Sequence, residues 1–138
     1  MPAFPARAER LAIGLSYEHG FDVAEESQPA PSEVATAAIG KQLTFAHGGF
    51  DCVKCHAVGD TPAVAPFEAP GINLAYASER LRYGYYTRWM LDPGRIDPYT
   101  KMPKFSPDGR TTGIMSVYDG EAQKQFDALW KYLKVIEK

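Results

Sequence analysis

The feature that most constrains this chain is a short run at positions 52–56, which reads Cys-Val-Lys-Cys-His. Two thiols three positions apart, with a histidine directly after the second, match the C-x-x-C-H pattern of covalent haem attachment. The spacing has a chemical reason, because each thiol can add to one vinyl group at the same edge of a porphyrin while the adjacent imidazole reaches the iron. The run predicts one covalently bound c-type haem, held by Cys52 and Cys55, with His56 as an iron ligand.

Two other interpretations of the cysteine pair compete with haem attachment. A structural zinc ion needs four ligands at paired spacings, and the chain has no second cysteine pair and no H-x-x-x-H. A thioredoxin-like redox pair needs a strand-then-helix setting, and the residues around position 52 do not indicate β-α-β. Both cysteines lie within four positions, so they cannot form a disulfide framework between distant parts of the chain.

An electron carrier usually has a second iron ligand, and a methionine paired with a histidine raises its reduction potential. The candidates are the methionines of the chain and its two remaining histidines. Met102 is favoured, since Pro98 and Pro103 predict extended backbone that can lay one side chain onto a flat ring. An open or His-ligated iron is the alternative. Two weaker candidates are methionines: Met90, expected within a helix as a filler of the hydrophobic core, and Met115, in a loop rich in Gly and Thr. The other two are histidines: His47, expected on the same face of the ring as His56, and His19, expected at the surface.

Helical periodicity indicates an all-α fold, and no segment alternates as a strand would. The expected helices are 7–17, 33–46 with Ser32 as N-cap, 79–91 with Ser78 as N-cap and Asp92-Pro93-Gly94 as its stop, and 121–136.

The composition excludes several other classes of protein. A length of 138 residues suits one domain with an extension, and 45% hydrophobic residues indicate a packed core. A net charge of −2 without a basic run argues against nucleic acid as a partner. No uninterrupted apolar run is long enough for a membrane span. No catalytic constellation other than the haem itself stands out, so an enzyme is not predicted.

Several further residues and short runs together resemble the sequence pattern of the bacterial class I cytochrome c domain. They are Gly40, Phe45, 52–56, Pro70, Trp89-Met-Leu-Asp-Pro93, Thr100-Lys-Met-Pro-Lys-Phe105 and Asp127-Ala-Leu-Trp-Lys-Tyr-Leu133. More narrowly, the chain is similar to haem domains at the ends of large multi-domain periplasmic proteins, many of them planctomycete-like. The resemblance covers about residue 34 to the end, and the segment 106–120 departs from it as an apparent insertion.

The resemblance implies a class I cytochrome c fold, with three to five helices around one haem and Met102 as the distal ligand. It also implies that Gly40 permits a close crossing of the first and last helices of the domain. The carbonyl of Pro70 would accept a hydrogen bond from the second ring nitrogen of His56, with Pro66 as the competitor.

Arginine and indole side chains donate hydrogen bonds to carboxylates, so Arg80, Arg82 and Trp89 are expected to contact the haem propionates. Four lysines near the ligands either frame the exposed haem edge and steer an acidic partner or are simply solvated. They are Lys41, Lys54, Lys101 and Lys104.

The implied function is periplasmic one-electron transfer, as a domain or subunit that serves a larger dehydrogenase or oxidase. The expected partner is a redox protein or a fused redox domain. The alternative is a haem with an open or displaceable sixth site, acting as a peroxidase or gas sensor.

The expected organisation is an extension over 1–32, with an acidic linker at 22–32, and a cytochrome c domain over 33–138. Met-Pro-Ala-Phe-Pro at 1–5 echoes Met-Pro-Lys-Phe at 102–105, and a helical stretch follows each. We therefore hypothesise that the chain begins in the tail of a preceding cytochrome-like unit, which would also account for the missing export signal. The alternative is that Met1 is only an initiator.

Overall fold

The computed structural model describes residues 5–19, 34–66, 68 and 70–137, and within them the regular structure is helical. Extended backbone in these residues pairs only as isolated bridges, so the predicted all-α class is confirmed. The α-helices are α1 (Pro5–Glu18), α2 (Val34–Thr44), α3 (Ala77–Arg80), α4 (Tyr83–Leu91), α5 (Pro93–Ile96) and α6 (Ala122–Leu133). Single 3-10 turns span Cys52–Lys54, Leu74–Tyr76 and Tyr118–Gly120.

Helix α6 is the centre of the hydrophobic core. Its apolar residues recur at three- and four-residue spacing and are almost completely buried; they are Phe126, Leu129, Trp130 and Leu133. The helix was predicted over 121–136 and ends at Leu133, three residues earlier than expected. Because α6 buries an apolar stripe along its whole length, α2, α3 and α4 all pack against it.

Helices α2 and α6 cross closely at Gly40, as the resemblance implied. A Cβ atom on Gly40 would lie 2.0 Å from the carbonyl oxygen of Ala128 and 2.7 Å from the Cβ of Tyr132. The two backbones therefore approach more closely than any side chain at position 40 permits. Helix α2 itself begins at Val34 and ends at Thr44, two residues short of the predicted end.

The predicted helix over 79–91 is interrupted, and this expectation was wrong. Helix α3 ends at Arg80, and Leu81 and Arg82 both adopt extended backbone before α4 begins at Tyr83. Leu81, at this break, lines the central cavity. Ser78 does not act as an N-cap, since its hydroxyl donates instead to the carbonyl of Leu133 at 3.1 Å.

The segment 106–120, interpreted as an insertion, is pinned to α6 by buried polar side chains. The amide of Gln125 donates to the carbonyls of Ile114 and Val117 at 2.8 and 2.7 Å and accepts from Thr112 at 2.6 Å. At its start, the buried hydroxyl of Ser106 donates to the carbonyl of Thr111 at 2.8 Å. Since these groups are satisfied, the segment is an integral part of the domain.

Helix α1 confirms the helical prediction near the N-terminus, and its larger apolar side chains, such as Leu11, Leu15 and Tyr17, are exposed. The Ser32 cap, the linker at 22–32 and the Met1–Pro5 comparison fall wholly or mainly outside the described residues. None of the described helices is long and apolar enough to cross a membrane.

Replacing Gly40 with alanine should destabilise the domain by about 1–3 kcal/mol, because the added methyl group meets backbone atoms of α6 that cannot move aside. Chemical denaturation followed by circular dichroism measures this. The matched control is Gly14→Ala in α1, where a Cβ has no neighbour within 4 Å, so the free energy of unfolding should be unchanged or higher. Equal losses in the two variants would contradict the close crossing.

Candidate functional site

The candidate site is a cavity of about 620 Å³ between α6, α4 and three connecting segments. This volume lies within the roughly 300–1,000 Å³ typical of cofactor and small-molecule sites. Its lining is mainly apolar and includes Phe50, Leu81, Tyr86, Phe105 and Leu129. A cofactor in such a cavity would be held largely away from water.

The cysteine–histidine run forms one wall of this cavity. The 3-10 turn Cys52–Lys54 brings the amides of Cys55 and His56 to the carbonyl of Cys52, at 3.2 and 2.9 Å. Cys52, Cys55 and His56 all line the cavity, as the motif requires. The turn is entered through Asp51, whose φ of 57° is a left-handed conformation that reverses the chain before the first thiol.

The surroundings of the Cys52 thiol raise its pKa. Burial raises the pKa to about 12, a backbone hydrogen bond acts in the opposite direction, and the charges of Asp51 and Cys55 add to the effect of burial. Reactive pairs of the thioredoxin kind depend on a lowered thiol pKa at the start of a helix, so the direction of the shift at Cys52 does not favour that chemistry.

The two cysteines and His56 do not make a metal site by themselves. In the part of the chain that the structure describes, no group of three or more His, Cys, Asp or Glu side chains is placed to hold a metal ion.

The His56 imidazole is oriented by a backbone carbonyl. Its Nδ1 lies 2.7 Å from the carbonyl oxygen of Ile72, which can only accept a hydrogen bond. In the neutral ring Nδ1 therefore carries the proton and Nε2 carries the lone pair that binds a metal. The expectation that Pro70 supplies this acceptor is wrong, because the acceptor lies two residues further along the chain; Pro70 and its competitor Pro66 are exposed and do not line the cavity.

The residues that set this orientation were not singled out from the sequence. A Cβ on Gly71 would lie 2.4 to 3.0 Å from three atoms of the His56 ring, so only glycine lets the backbone pack against the imidazole. Asn73 then fixes the next turn, accepting from the amide of Gly59 at 3.1 Å and donating to its carbonyl at 2.8 Å. The run Gly71-Ile72-Asn73 was the available signal, because glycine and asparagine together indicate tight backbone packing.

Met102 lies in the 100–105 segment and reaches the same cavity as His56. Its amide donates to the hydroxyl of Thr100, two residues earlier in the chain, at 3.2 Å. On the other side, the ammonium of Lys104 forms an ion pair of 2.8 Å with Asp92 at the end of α4. Met102 is therefore presented from a segment fixed on both sides of the side chain.

Of the three side chains predicted to contact propionates, only Trp89 lines the cavity. Its indole Nε1 donates to the sulfur of Met102 at 2.8 Å, which is a different role from the expected one. Arg80 and Arg82 are exposed and lie outside the cavity lining, and the guanidinium of Arg80 sits 5.3 Å from the ring of Tyr76. The contact of Arg80 and Arg82 with the haem propionates stays a prediction.

Of the weaker ligand candidates, Met90 lines the cavity and the other three do not. Met90 is buried in the core, as expected, and also contributes to the cavity wall. Met115, His47 and His19 are exposed and lie outside the lining.

Two of the four lysines, Lys54 and Lys101, lie at the cavity. Lys41 is exposed on α2, and Lys104 is held in its ion pair with Asp92.

No protein-family profile and no curated protein sequence matches this chain. Its chemistry is therefore inferred from the cavity and the side chains that line it.

Replacing Gly71 with alanine should push the His56 ring away from Ile72 and break their hydrogen bond. The expected loss is about 1–3 kcal/mol of unfolding free energy, measured by denaturant titration. In a His56→Ala background the same change should be nearly neutral, because the ring that the methyl group meets is gone. An equal loss in both backgrounds would show that Gly71 matters for some other reason. Gly113→Ala, where a Cβ meets open space, is the control for replacing a loop glycine.

Proposed function

We propose that this chain carries one c-type haem, attached through Cys52 and Cys55, and that it transfers single electrons. The observation that carries the proposal is that both cysteines, His56 and Met102 line one largely apolar cavity of suitable size. The motif alone would be compatible with other chemistry. Met102 lies 46 positions after His56 in the chain and yet lines the same cavity as the motif. This placement favours a haem whose iron is held by two protein side chains.

The residues of the cavity fit this cofactor in three respects. The two thiols stand at the ends of one turn, and the Ile72 carbonyl leaves the Nε2 lone pair of His56 for the iron. Met102 supplies a thioether from a segment with its own anchors. When bound, the haem iron supplies a couple between ferrous and ferric states, and pairing His with Met raises its potential.

Aromatic side chains at the cavity would influence which oxidation state of the iron is favoured. The phenyl rings of Phe50 and Phe105 lie 4.7 Å apart at the cavity, and Phe50 also packs 5.8 Å from Phe126 in the core. This packing places apolar rings beside the ligands, and less polar surroundings would favour the less charged ferrous state. If His56 and Met102 both hold the iron, the site would be suited to electron transfer more than to binding a substrate.

Lys54 and Lys101 belong to the cavity wall and are exposed, and the ammonium of Lys101 also lies 3.7 Å from the carboxylate of Glu68. Positive charge at this edge would speed association with an acidic redox partner and would be weakened by salt. We propose the periplasm as the compartment, since haem is attached to such motifs after translocation, and a larger dehydrogenase or oxidase as the partner or fused domain.

Replacing Met102 with alanine tests the ligand set. The oxidised wild-type protein should show the methionine-to-iron charge-transfer band at the red end of the visible spectrum, titrate as a one-electron couple and resist low concentrations of cyanide. Met102→Ala should lose the band, bind cyanide and have a lower potential, because the iron loses its thioether ligand.

The matched control is Met115→Ala, since Met115 is exposed and lies outside the cavity lining. This variant should behave as the wild type. A Met102→Ala protein with an unchanged spectrum would refute the ligand assignment. A wild-type protein that is high-spin and binds cyanide readily would favour a peroxidase or gas sensor instead.

A further inference from the structure

A tyrosine of α4 and an aspartate of α6 form a hydrogen-bonded pair at the edge of the core. The hydroxyl of Tyr83 donates to Oδ1 of Asp127, 44 positions away in the chain. The side-chain amide of Gln123 donates to both groups, to the phenol oxygen at 3.0 Å and to the carboxylate at 2.9 Å. Since a carboxylate can only accept, the phenolic proton of Tyr83 is directed at a base that is held in place.

Contacts between aromatic rings connect Tyr83 to the cavity. The centroid of its ring lies 5.8 Å from that of Trp130, and the centroids of Trp130 and Tyr86 are 4.8 Å apart. Trp130 and Tyr86 are both buried, and Tyr86 lines the cavity. Rings at these separations are in direct contact. Three side chains therefore lead from the cavity wall to a half-buried phenol on the far side of the core.

Tyr83 keeps its proton until an electron is removed from it. Burial, and then the hydrogen bond to Asp127, raise the pKa of the phenol to about 12. Loss of an electron makes a phenol strongly acidic, and Asp127 can then take the proton across the existing hydrogen bond. The pair is thus arranged to release an electron and a proton together.

The other two rings are less suited to hold an electron vacancy. The hydroxyl of Tyr86 donates to the carbonyl of Phe126 at 2.8 Å, and a backbone carbonyl is too weak a base to take a proton. The ammonium of Lys134 lies 5.7 Å from the centre of the Trp130 ring, and its positive charge opposes the formation of a cationic indole. An electron vacancy that leaves the cavity along this route should therefore come to rest on Tyr83.

We infer that Tyr83 donates one electron to the cavity when hydrogen peroxide oxidises the haem site, and that Asp127 accepts its proton, an inference that rests on the proposed function. Peroxide reaches the iron when Met102 is displaced. The route then carries the oxidising equivalent out of the apolar cavity, which protects the cofactor and its ligands from oxidation.

The step consumes one of the two oxidising equivalents of the peroxide. The O–O bond breaks, one oxygen leaves as water with both peroxide protons, and the second oxygen stays at the site, which is left two electrons short. One electron comes from Tyr83 through Trp130 and Tyr86, while the phenolic proton moves to the carboxylate of Asp127. The pair becomes a neutral phenoxyl radical and a neutral carboxylic acid. A reduced redox partner returns the electron, and Asp127 returns the proton.

Electron paramagnetic resonance of the haem-loaded protein, frozen rapidly after mixing with hydrogen peroxide, tests the inference. The wild type should give a tyrosyl signal. Tyr83→Phe keeps a ring against Trp130 and removes the phenol, so the signal should be lost and the haem absorption should bleach faster. Asp127→Asn keeps an acceptor oxygen but removes the base, and the signal should fall about tenfold or more, since a positioned proton acceptor contributes about 10²- to 10⁴-fold to a rate.

Tyr99→Phe is the matched control. Tyr99 is 89% exposed and lies near Met102 in the chain, but it is outside the cavity lining. The signal and the rate of bleaching should match those of the wild type. This control also separates a specific donor from oxidation of any exposed tyrosine.

Three results would overturn the inference. They are a haem-loaded wild type without a tyrosyl signal, a full signal in Tyr83→Phe or in Asp127→Asn, and loss of the signal in Tyr99→Phe. A full signal in Tyr83→Phe together with a lower free energy of unfolding would mean that the hydrogen bond only ties α4 to α6. Failure of the proposed function is distinguishable, because a wild type without haem absorption would refute it before any peroxide is added.

Discussion

The contact between the His56 ring and the backbone at Gly71 and Ile72 is the interaction on which the site depends. One carbonyl fixes the tautomer and direction of the imidazole, and one absent side chain makes room for it. The surrounding backbone holds this pair in register, since the amide of Gly71 donates to the carbonyl of Cys55 at 2.7 Å. The turn that carries the thiols and the segment that orients the histidine therefore form one unit.

A second unit presents the sulfur of Met102. It consists of the end of α4 and the 100–105 segment, joined by the Lys104–Asp92 ion pair and by the contact of the Trp89 indole with Met102. Helix α6 forms the base on which both units rest, because its buried stripe contributes Leu129 and Leu133 to the cavity wall. The close crossing at Gly40 brings α2 against α6 and completes this base. The two units, which carry the proposed ligands His56 and Met102, thus come from distant parts of the sequence and meet at the core.

The sequence predicted those features that depend on neighbouring residues. The candidate site at residues 52–56 and the helix α6 were predictable, since motif spacing and helical periodicity are properties of short runs. The break at Leu81 was not predictable, because residues 80–83 include no glycine or proline that would mark it. The acceptor for His56 was misplaced by two residues, because any residue can offer a carbonyl. The indole of Trp89 contacts Met102, 13 positions away in the chain, and no local pattern predicts such a contact.

The central claim is that Cys52 and Cys55 attach a haem covalently. The most direct measurement is the intact mass of the denatured protein, produced with export and haem-attachment machinery. The account predicts the mass of the chain plus one haem, which persists through acid and organic extraction, and a loss of this stability when both cysteines are replaced by serine. A wild-type protein with the mass of the bare polypeptide, or a haem that extracts freely, would contradict it.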